Sequence, residues 1–247
     1  MSGTRSHFPK APATDALIVA HGQPSDPEPA EAALAELTLR VQAYLPELRV
    51  QSATLANGDA FEHGLKTLRP DGLVYPLFMA NGWFVRTELR RRIDNFPCRV
   101  LAPLGMDPDL PALAIDMIDG ALAAQGLAQE ETAILLAAHG SAHGQAAADS
   151  ARAFANRLRD IRPTLQVSPG FVEQAPFLPD MVSEIAAPCL CLPFFAMDGD
   201  HMKQDVRQDL VHAGFSGGIL PALGQAKGIP KLIATALIKK HTEREAA

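Results

Sequence analysis

Residues 16–22 read ALIVAHG, and residues 133–140 read AILLAAHG. Each stretch is a continuous apolar run that ends in the dipeptide His-Gly. Apolar residues at every position, rather than at alternate positions, are typical of a strand that is buried on both faces of a parallel sheet. Ligands of such sheets bind beyond the carboxyl ends of the strands. The sequence therefore predicts His21 and His139 at corresponding ligand-facing positions.

The similarity continues along the chain. Residues 72–82 (GLVYPLFMANG) match residues 189–199 (CLCLPFFAMDG) at a proline, a phenylalanine and a glycine. Residues 102–113 (APLGMDPDLPAL) match residues 221–232 (PALGQAKGIPKL) at Leu-Gly and at a later Pro-x-Leu. Because these matches recur in the same order, the chain is predicted to be an internal duplication.

Each copy alternates short apolar strands with amphipathic helical patterns, such as residues 28–44 in the first copy and 145–161 in the second. This alternation is typical of a parallel sheet with helices on both faces. We therefore predict an α/β protein of two similar, doubly wound lobes, each with a four-stranded parallel sheet. The predicted lobes are residues 15–125 and 132–240, and residues 1–14 are predicted to be a disordered tail.

The composition excludes several classes of function. The chain has 247 residues, of which 22 are Lys or Arg and 28 are Asp or Glu, so its net charge is −6. A nucleic-acid-binding protein normally has a basic surface, which this balance disfavours. The sequence contains neither an apolar run of about 18 residues nor an apolar leader at its N-terminus. We expect a cytoplasmic protein that binds no nucleic acid and no membrane. It is expected to be a monomer or a weak homo-oligomer, because the duplication already supplies a pseudo-dimer.

The two copies differ at the ends of their strands. Glu173 in the second copy corresponds to Ala56 in the first, and His201 corresponds to Phe84. The second copy alone therefore combines His139 with Glu173 and His201. Two imidazoles and a carboxylate are suitable ligands for a divalent first-row metal, and they are also suitable general bases near neutral pH. We predict one active site, in the second lobe.

These motifs resemble a known family. The AHGS motif that ends at Ser141, the Phe-Val-Glu that ends at Glu173, and the Gly-x-His that ends at His201 are similar to those of the class II tetrapyrrole chelatases. The closest resemblance is to the CbiX-type sirohydrochlorin cobalto- and ferrochelatases, whose two-domain members are internal duplications. It covers about residues 15–240. By position, the two histidines and the glutamate of that family correspond to His139, His201 and Glu173.

The resemblance implies that the protein inserts Co²⁺ or Fe²⁺ into a sirohydrochlorin-type tetrapyrrole without ATP, in cobalamin or siroheme biosynthesis. No tightly bound cofactor is expected, and Co²⁺, Fe²⁺ or Ni²⁺ is expected as a substrate. One feature departs from the family: many long members carry the complete ligand set in the first copy, not in the second. Catalysis from the C-terminal lobe is similar to that of protoporphyrin ferrochelatases and anaerobic cobaltochelatases, so the macrocycle stays open.

Five further side chains are candidate contacts for a flat macrocycle that carries carboxylates. Trp83 and Phe195 are candidates for its apolar walls, and Arg86 is a candidate for its carboxylates, which guanidinium groups bind through two parallel hydrogen bonds. His21 and Ser141, at the strand ends, complete the set. Core packing explains Phe195 equally well, and a solvated helix face explains the arginines.

Two other functions stay open on the residues alone. One is a tetrapyrrole or metal carrier, which holds its ligand without inserting the metal. The other is a histidine phosphatase, but those enzymes have an arginine before the histidine, where this chain has Ala20 and Ala138. The sequence also leaves open whether His143 or Asp205, which lie close to the predicted ligands along the chain, assists them.

Overall fold

The computed structural model describes residues 13–185, 188–199 and 205–245. It contains eight strands: β1 (Thr14–Ala20), β2 (Val50–Thr54), β3 (Leu68–Pro76), β4 (Cys98–Val100), β5 (Ala133–Ala138), β6 (Gln166–Phe171), β7 (Cys189–Pro193) and β8 (Gly218–Ile219). They form two four-stranded sheets, ordered β2-β1-β3-β4 and β6-β5-β7-β8. Every pairing is parallel. This confirms the predicted fold of two doubly wound lobes.

The helices alternate with these strands. They are α1 (Pro27–Gln42), α2 (Gly58–Thr67), α3 (Arg90–Ile93), α4 (Leu110–Gln125), α5 (Ala146–Ile161), α6 (Leu178–Glu184), α7 (Arg207–His212) and α8 (Ile229–Glu245). A π-helical segment, Phe84–Leu89, leads directly into α3. Among the described helices, none has both the length and the hydropathy needed to cross a bilayer.

The central strand of each sheet is buried on both faces, as its continuous apolar run predicts. In β1, Ile18 faces a core that the two lobes share, and Leu17 and Val19 face a separate outer core. In β5, Leu136 faces the shared core and Leu135 faces the outer core of the second lobe. All five side chains are fully buried, and such burial stabilises a fold by about 1.5–3 kcal/mol per side chain.

Each copy packs its last helix against the other copy. Helix α4 ends the first copy in sequence but packs mainly against α5, and α8 ends the second copy but packs mainly against α1 and β3. Two polar contacts accompany this exchange. Arg162, which directly follows α5, binds Asp119 of α4, and Nη2 of Arg69 in β3 lies 3.0 Å from Nδ1 of His241 in α8. The lobes are consecutive in sequence, but their packing is interleaved.

The connection between the two lobes is short, and the first strand begins close to the predicted start of the first lobe. Helix α4 ends at Gln125, and Gly126 adopts a left-handed φ of 64°, the usual conformation of a glycine after a helix. Strand β5 starts at Ala133. At the other end, β1 starts at Thr14, the last residue of the predicted tail. Residues 1–12 of that tail lie outside the described residues.

Candidate active site

Strands β5 and β6 place Glu173 beside His139. Their ladder continues past the strand ends, because the Val172 N–H donates to the Ala138 carbonyl oxygen over 3.1 Å and the Glu173 N–H donates to the His139 carbonyl oxygen over 2.9 Å. The two side chains then approach each other, with His139 Nδ1 lying 3.6 Å from Glu173 Oε2. They are 34% and 43% exposed, respectively, so a ligand can reach both from solvent.

The distance between these two side chains suits a shared ion. Two ligand atoms bound about 2.1 Å from a tetrahedral metal lie about 3.4 Å apart, close to the observed 3.6 Å between Nδ1 and Oε2. The observed distance is longer than a hydrogen bond, which spans about 2.7–3.2 Å. The pair can therefore admit a metal ion between its two atoms, or accept protons as an imidazole and a carboxylate.

The first lobe has the same backbone arrangement without the acid. Its Ala56 N–H donates to the His21 carbonyl oxygen over 2.9 Å. Ala56 therefore occupies in the first lobe the place that Glu173 occupies in the second, as the repeat predicts. Nδ1 of His21 lies 2.5 Å from the carbonyl oxygen of Gly22.

An aromatic cluster of Phe78, Trp83 and Phe84 contacts His21 through Phe84. The Phe84 ring packs edge-on against the His21 ring, with centroids 4.1 Å apart. Phe78 and Trp83 lie 6.3 Å and 5.2 Å from Phe84, again between ring centroids. Trp83 is 60% exposed and Phe84 is 38% exposed. The first lobe therefore presents an aromatic surface at its strand ends.

The predicted third ligand, His201, lies outside the described residues. Within residues 13–185, 188–199 and 205–245, no three His, Cys, Asp or Glu side chains come together as a metal site. His139 and Glu173 form a pair there, and the complete ligand set stays a prediction.

Gln174 fastens the loop after β5, in the sense that it holds the loop by two hydrogen bonds. It was not identified from the sequence as a residue of the site. Its Oε1 accepts a hydrogen bond from the Ser141 N–H over 2.9 Å, and its Nε2 donates to Gln145 Oε1 over 3.2 Å. A Cβ atom on Gly140 would lie 2.9 Å from Gln174 Cγ, and the φ of Gly140 is 72°. The loop is thus fitted to this glutamine. Its position directly after Glu173 is the signal in the sequence that could have identified it.

The other predicted residues are distributed around the second lobe. Ser141 Oγ accepts a hydrogen bond from the His143 N–H over 3.2 Å, and the His143 side chain is exposed. Phe195 follows β7 and packs against the outer core of the second lobe. Asp205 is half-buried. The pKa of Asp209 is raised, first by the burial of Asp209 and then by the negative charge of Asp205.

The arginines that follow Trp83 divide into two pairs. Arg91 and Arg92 both bind Glu88, at 3.0 Å and 2.6 Å, and these bonds lower the pKa of the Glu88 carboxyl. Arg86 and Arg90 instead line a cavity of about 390 Å³, where the loops after β3 and β4 meet. Arg86 thus lies at a concave site in the first lobe.

Comparison with known proteins shows which family this chain resembles. The sequence matches the CbiX family twice, over residues 15–121 and again over residues 133–241. A solved structure described as CbiX, the terminal enzyme for biosynthesis of siroheme in denitrifying bacteria, is 40% identical, with a TM-score of 0.83. That match covers 91% of this chain and 98% of the other chain. No curated protein sequence matches this chain.

Two more distant structures share the fold. SirB from Bacillus subtilis with Fe³⁺ is 16% identical with a TM-score of 0.73, and the match covers 95% of this chain and 98% of the other. The sirohydrochlorin chelatase SirB from Bacillus subtilis subspecies spizizenii, in complex with cobalt, is 15% identical with a TM-score of 0.67, covering 95% and 97%. Since the family matches both halves of the sequence, and a CbiX structure matches nearly its whole length, the chain belongs to the CbiX family.

Proposed function

We propose that this protein is a metallochelatase that inserts Co²⁺ or Fe²⁺ into a sirohydrochlorin-type tetrapyrrole without ATP. The observation that carries the proposal is the His139–Glu173 pair, which faces solvent at the ends of two parallel strands. The 40% identical CbiX structure, described as an enzyme of siroheme biosynthesis, supports a role in siroheme or the related cobalamin biosynthesis.

The chemistry of metal insertion suits this pair. Each metal ion that enters the macrocycle replaces two pyrrole N–H protons, so two protons leave for every dication bound. A neutral imidazole and a carboxylate together carry one negative charge, which attracts the hydrated dication. Imidazole also favours borderline ions such as Co²⁺ and Fe²⁺ over Mg²⁺. We propose that His139 and Glu173 hold the incoming metal, and that Glu173 accepts one pyrrole proton while the other passes to solvent.

His201 is proposed as the third member of the site. In the duplication, positions 21 and 84 correspond to positions 139 and 201. The ring contact between His21 and Phe84 supports the proposal, because it joins the two corresponding positions in the first lobe. A second imidazole would complete a ligand set of two nitrogens and one oxygen, which is common for divalent first-row metals.

The macrocycle is proposed to contact Trp83 and Phe195 through its apolar faces, and His21 and Ser141 through its polar groups. Trp83 is 60% exposed and packs against Phe84, which is 38% exposed; this supports the role, because contiguous exposed apolar patches often mark binding surfaces. Ser141 belongs to the loop after β5 that Gln174 fastens, so its position relative to the strand end is well defined.

An anaerobic absorbance assay tests the proposal. The purified protein is mixed with sirohydrochlorin and Co²⁺, Fe²⁺ or Ni²⁺ in turn, and formation of the metallated spectrum is compared with a mixture that lacks protein. We expect acceleration by the wild type and its loss in His139→Ala, Glu173→Gln and His201→Ala. His63→Ala, which removes an exposed histidine of α2, is the matched control and should keep the wild-type rate.

Each result has a distinct meaning. Comparison of the three metals identifies the preferred substrate ion. Tight binding of sirohydrochlorin without acceleration would reject the enzyme in favour of a tetrapyrrole carrier. Acceleration that survives all three site substitutions would reject the residue assignment.

A further inference from the structure

We infer that Arg86 and Arg90 form a carboxylate-binding site in the first lobe, which takes the edge of a polycarboxylate with an apolar body. The inference rests on the proposed function, because a sirohydrochlorin-type tetrapyrrole is a flat apolar ring with carboxylates at its periphery. It goes beyond that function by assigning the cavity, the second arginine and the group of the ligand that each part of the cavity binds.

The walls of the cavity combine cationic and apolar groups. Its volume is about 390 Å³, and the residues with polar side chains among those that line it are Arg86, Arg90 and Asn81. The apolar lining includes Val85, Val100, Leu101, Pro103 and Met106. No acidic side chain is among the lining residues. Such a cavity favours an anionic group that is attached to an apolar body.

The charges of Arg86 and Arg90 are available to a ligand. Their neighbours Arg91 and Arg92 both bind Glu88, whose single negative charge offsets one of their two positive charges. In the described chain, neither Arg86 nor Arg90 forms an ion pair. Guanidinium groups bind carboxylates through two parallel hydrogen bonds, and a concave surface with charges of one sign concentrates its electrostatic field on the ligand.

The size of the cavity limits what enters it. Pockets for small molecules span about 300–1,000 Å³, so 390 Å³ is enough for carboxylate arms and one edge of a ring but too small for a whole tetrapyrrole. The rest of the ring would extend outside. Trp83 and Phe84 are exposed at the start of the same helical segment, two to three residues before Arg86, and they offer it an aromatic surface.

The cavity also adjoins the second lobe. Met106, one of its lining residues, belongs to the segment that Arg157 of α5 binds. Arg157 donates to the carbonyl oxygens of Gly105 and Asp107 over 2.6 Å and 2.8 Å. Helix α5 directly follows the loop that begins at His139. The cavity therefore lies at the junction of the two lobes and is not on a remote face of the first.

The test compares three arginine variants of the full-length protein. Sirohydrochlorin affinity is measured by absorbance titration without metal, and KM is measured in the Co²⁺ insertion assay. Arg86→Gln with Arg90→Gln should weaken sirohydrochlorin binding at least about tenfold and raise KM by a similar factor, since the loss of even one charge-assisted hydrogen bond corresponds to a factor of about ten or more. Arg86→Lys with Arg90→Lys should recover part of this affinity. Arg91→Gln, on the same segment but outside the cavity, should match the wild type.

Two further ligands distinguish the source of the carboxylate. Protoporphyrin carries fewer carboxylates than sirohydrochlorin, so the double glutamine variant should lose less affinity for it. Citrate is a small polycarboxylate without a macrocycle. If citrate binds the wild type and the double variant loses citrate binding but keeps sirohydrochlorin affinity, the cavity serves a separate small acid and not the tetrapyrrole.

Other outcomes overturn the inference. If the wild type inserts metal and the double glutamine variant binds both sirohydrochlorin and citrate as the wild type does, the carboxylate site is wrong and the proposed function stands. If the wild type neither binds nor metallates sirohydrochlorin, and citrate does not bind, both proposals fail. A thermal unfolding midpoint for each variant confirms that any loss of affinity comes from the cavity and not from unfolding.

Discussion

Glu173 and His139 are joined by the backbone before their side chains meet. The Glu173 N–H donates to the His139 carbonyl oxygen over 2.9 Å, and the side chains approach to 3.6 Å. In the first lobe, Ala56 makes the same backbone bond to His21. The register of the sheet therefore sets the position of the acid, and the side chain alone sets its chemistry. One copy can lack the acid and keep the fold.

Glu173→Gln should separate activity from stability. The substitution keeps the backbone bond but removes the charge, so we expect metal insertion to slow by about 10²–10⁴-fold, the usual contribution of a general acid or base. The free energy of unfolding should change by less than about 0.5 kcal/mol, because the side chain is exposed. Insertion rates and urea unfolding measure the two effects. Glu184→Gln, an exposed acid of α6, is the control, and equal rates in both variants would contradict the prediction.

The first lobe should be convertible into a metal site. With Ala56→Glu and Phe84→His together, the first lobe would have an acid beside His21 and an imidazole in place of the ring that now contacts it. In a His139→Ala background, we expect this double variant to bind one Co²⁺, measured by its d–d absorption. Ala56→Glu alone should bind more weakly, because it lacks the second imidazole. Equal Co²⁺ binding by the double variant and its His139→Ala parent would show that the two lobes differ in more than these side chains.

Gly224 should tolerate no side chain. A Cβ atom there would lie 1.9 Å from the carbonyl oxygen of Ala196, in the loop that leads towards His201, and backbone cannot move aside as a flexible side chain can. We expect Gly224→Ala to destabilise the protein by about 3 kcal/mol or more. Gly120→Ala is the control: nothing lies within 4 Å of that Cβ, so it should stabilise α4 by about 0.5–1 kcal/mol. Urea unfolding compares the two, and similar midpoints would contradict the close approach.

The repeat explains why much of the fold was predictable. Continuous apolar runs identified the central strands, since a strand buried on both faces needs apolar residues at every position. Alignment of the two copies then paired Ala56 with Glu173. The structure bears out this pairing through identical backbone hydrogen bonds, because the duplicated halves keep the same sheet register.

Other features depend on contacts that no local pattern encodes. The apolar faces of α4 and α8 predict that these helices are buried, but not which lobe buries them, and so the exchange was not foreseen. Gln174 fastens its loop through two residues that are distant in sequence. The pairing of Glu88 with Arg91 and Arg92 has the three- and four-residue spacing of helical ion pairs and could have been predicted. That Arg86 can offer its charge to a ligand follows from the same spacing only once Glu88 has been assigned to Arg91 and Arg92.

The ion pair between Asp119 and Arg162 should make stability depend on pH. Hydrogen bonds from Arg162 lower the pKa of Asp119 in the folded chain, so the pair stabilises the fold above the unfolded pKa of about 3.9, and this contribution is lost as the pH falls through the folded pKa. Since the Asp119 side chain is 46% exposed, it contributes at most about 1 kcal/mol. Asp119→Asn should lower the free energy of unfolding by that amount at pH 7 and by little at pH 2. An equal loss at both pH values would mean that the charge is not the cause.

Removal of α8 should unfold the first lobe as well as the second. Ile229, Ile233 and Leu237 of α8 are fully buried in the shared core, and three such side chains stabilise a fold by about 5–9 kcal/mol, comparable with the stability of a whole domain. Because α8 packs on α1 and β3, a chain that ends at residue 228 should lose hydrogen-exchange protection in both of these elements. If the lobes instead folded as consecutive, independent units, the same truncation would leave α1 and β3 protected and open only the second sheet. Protection measured strand by strand distinguishes the two arrangements, because α8 is covalently part of one copy and physically part of the other.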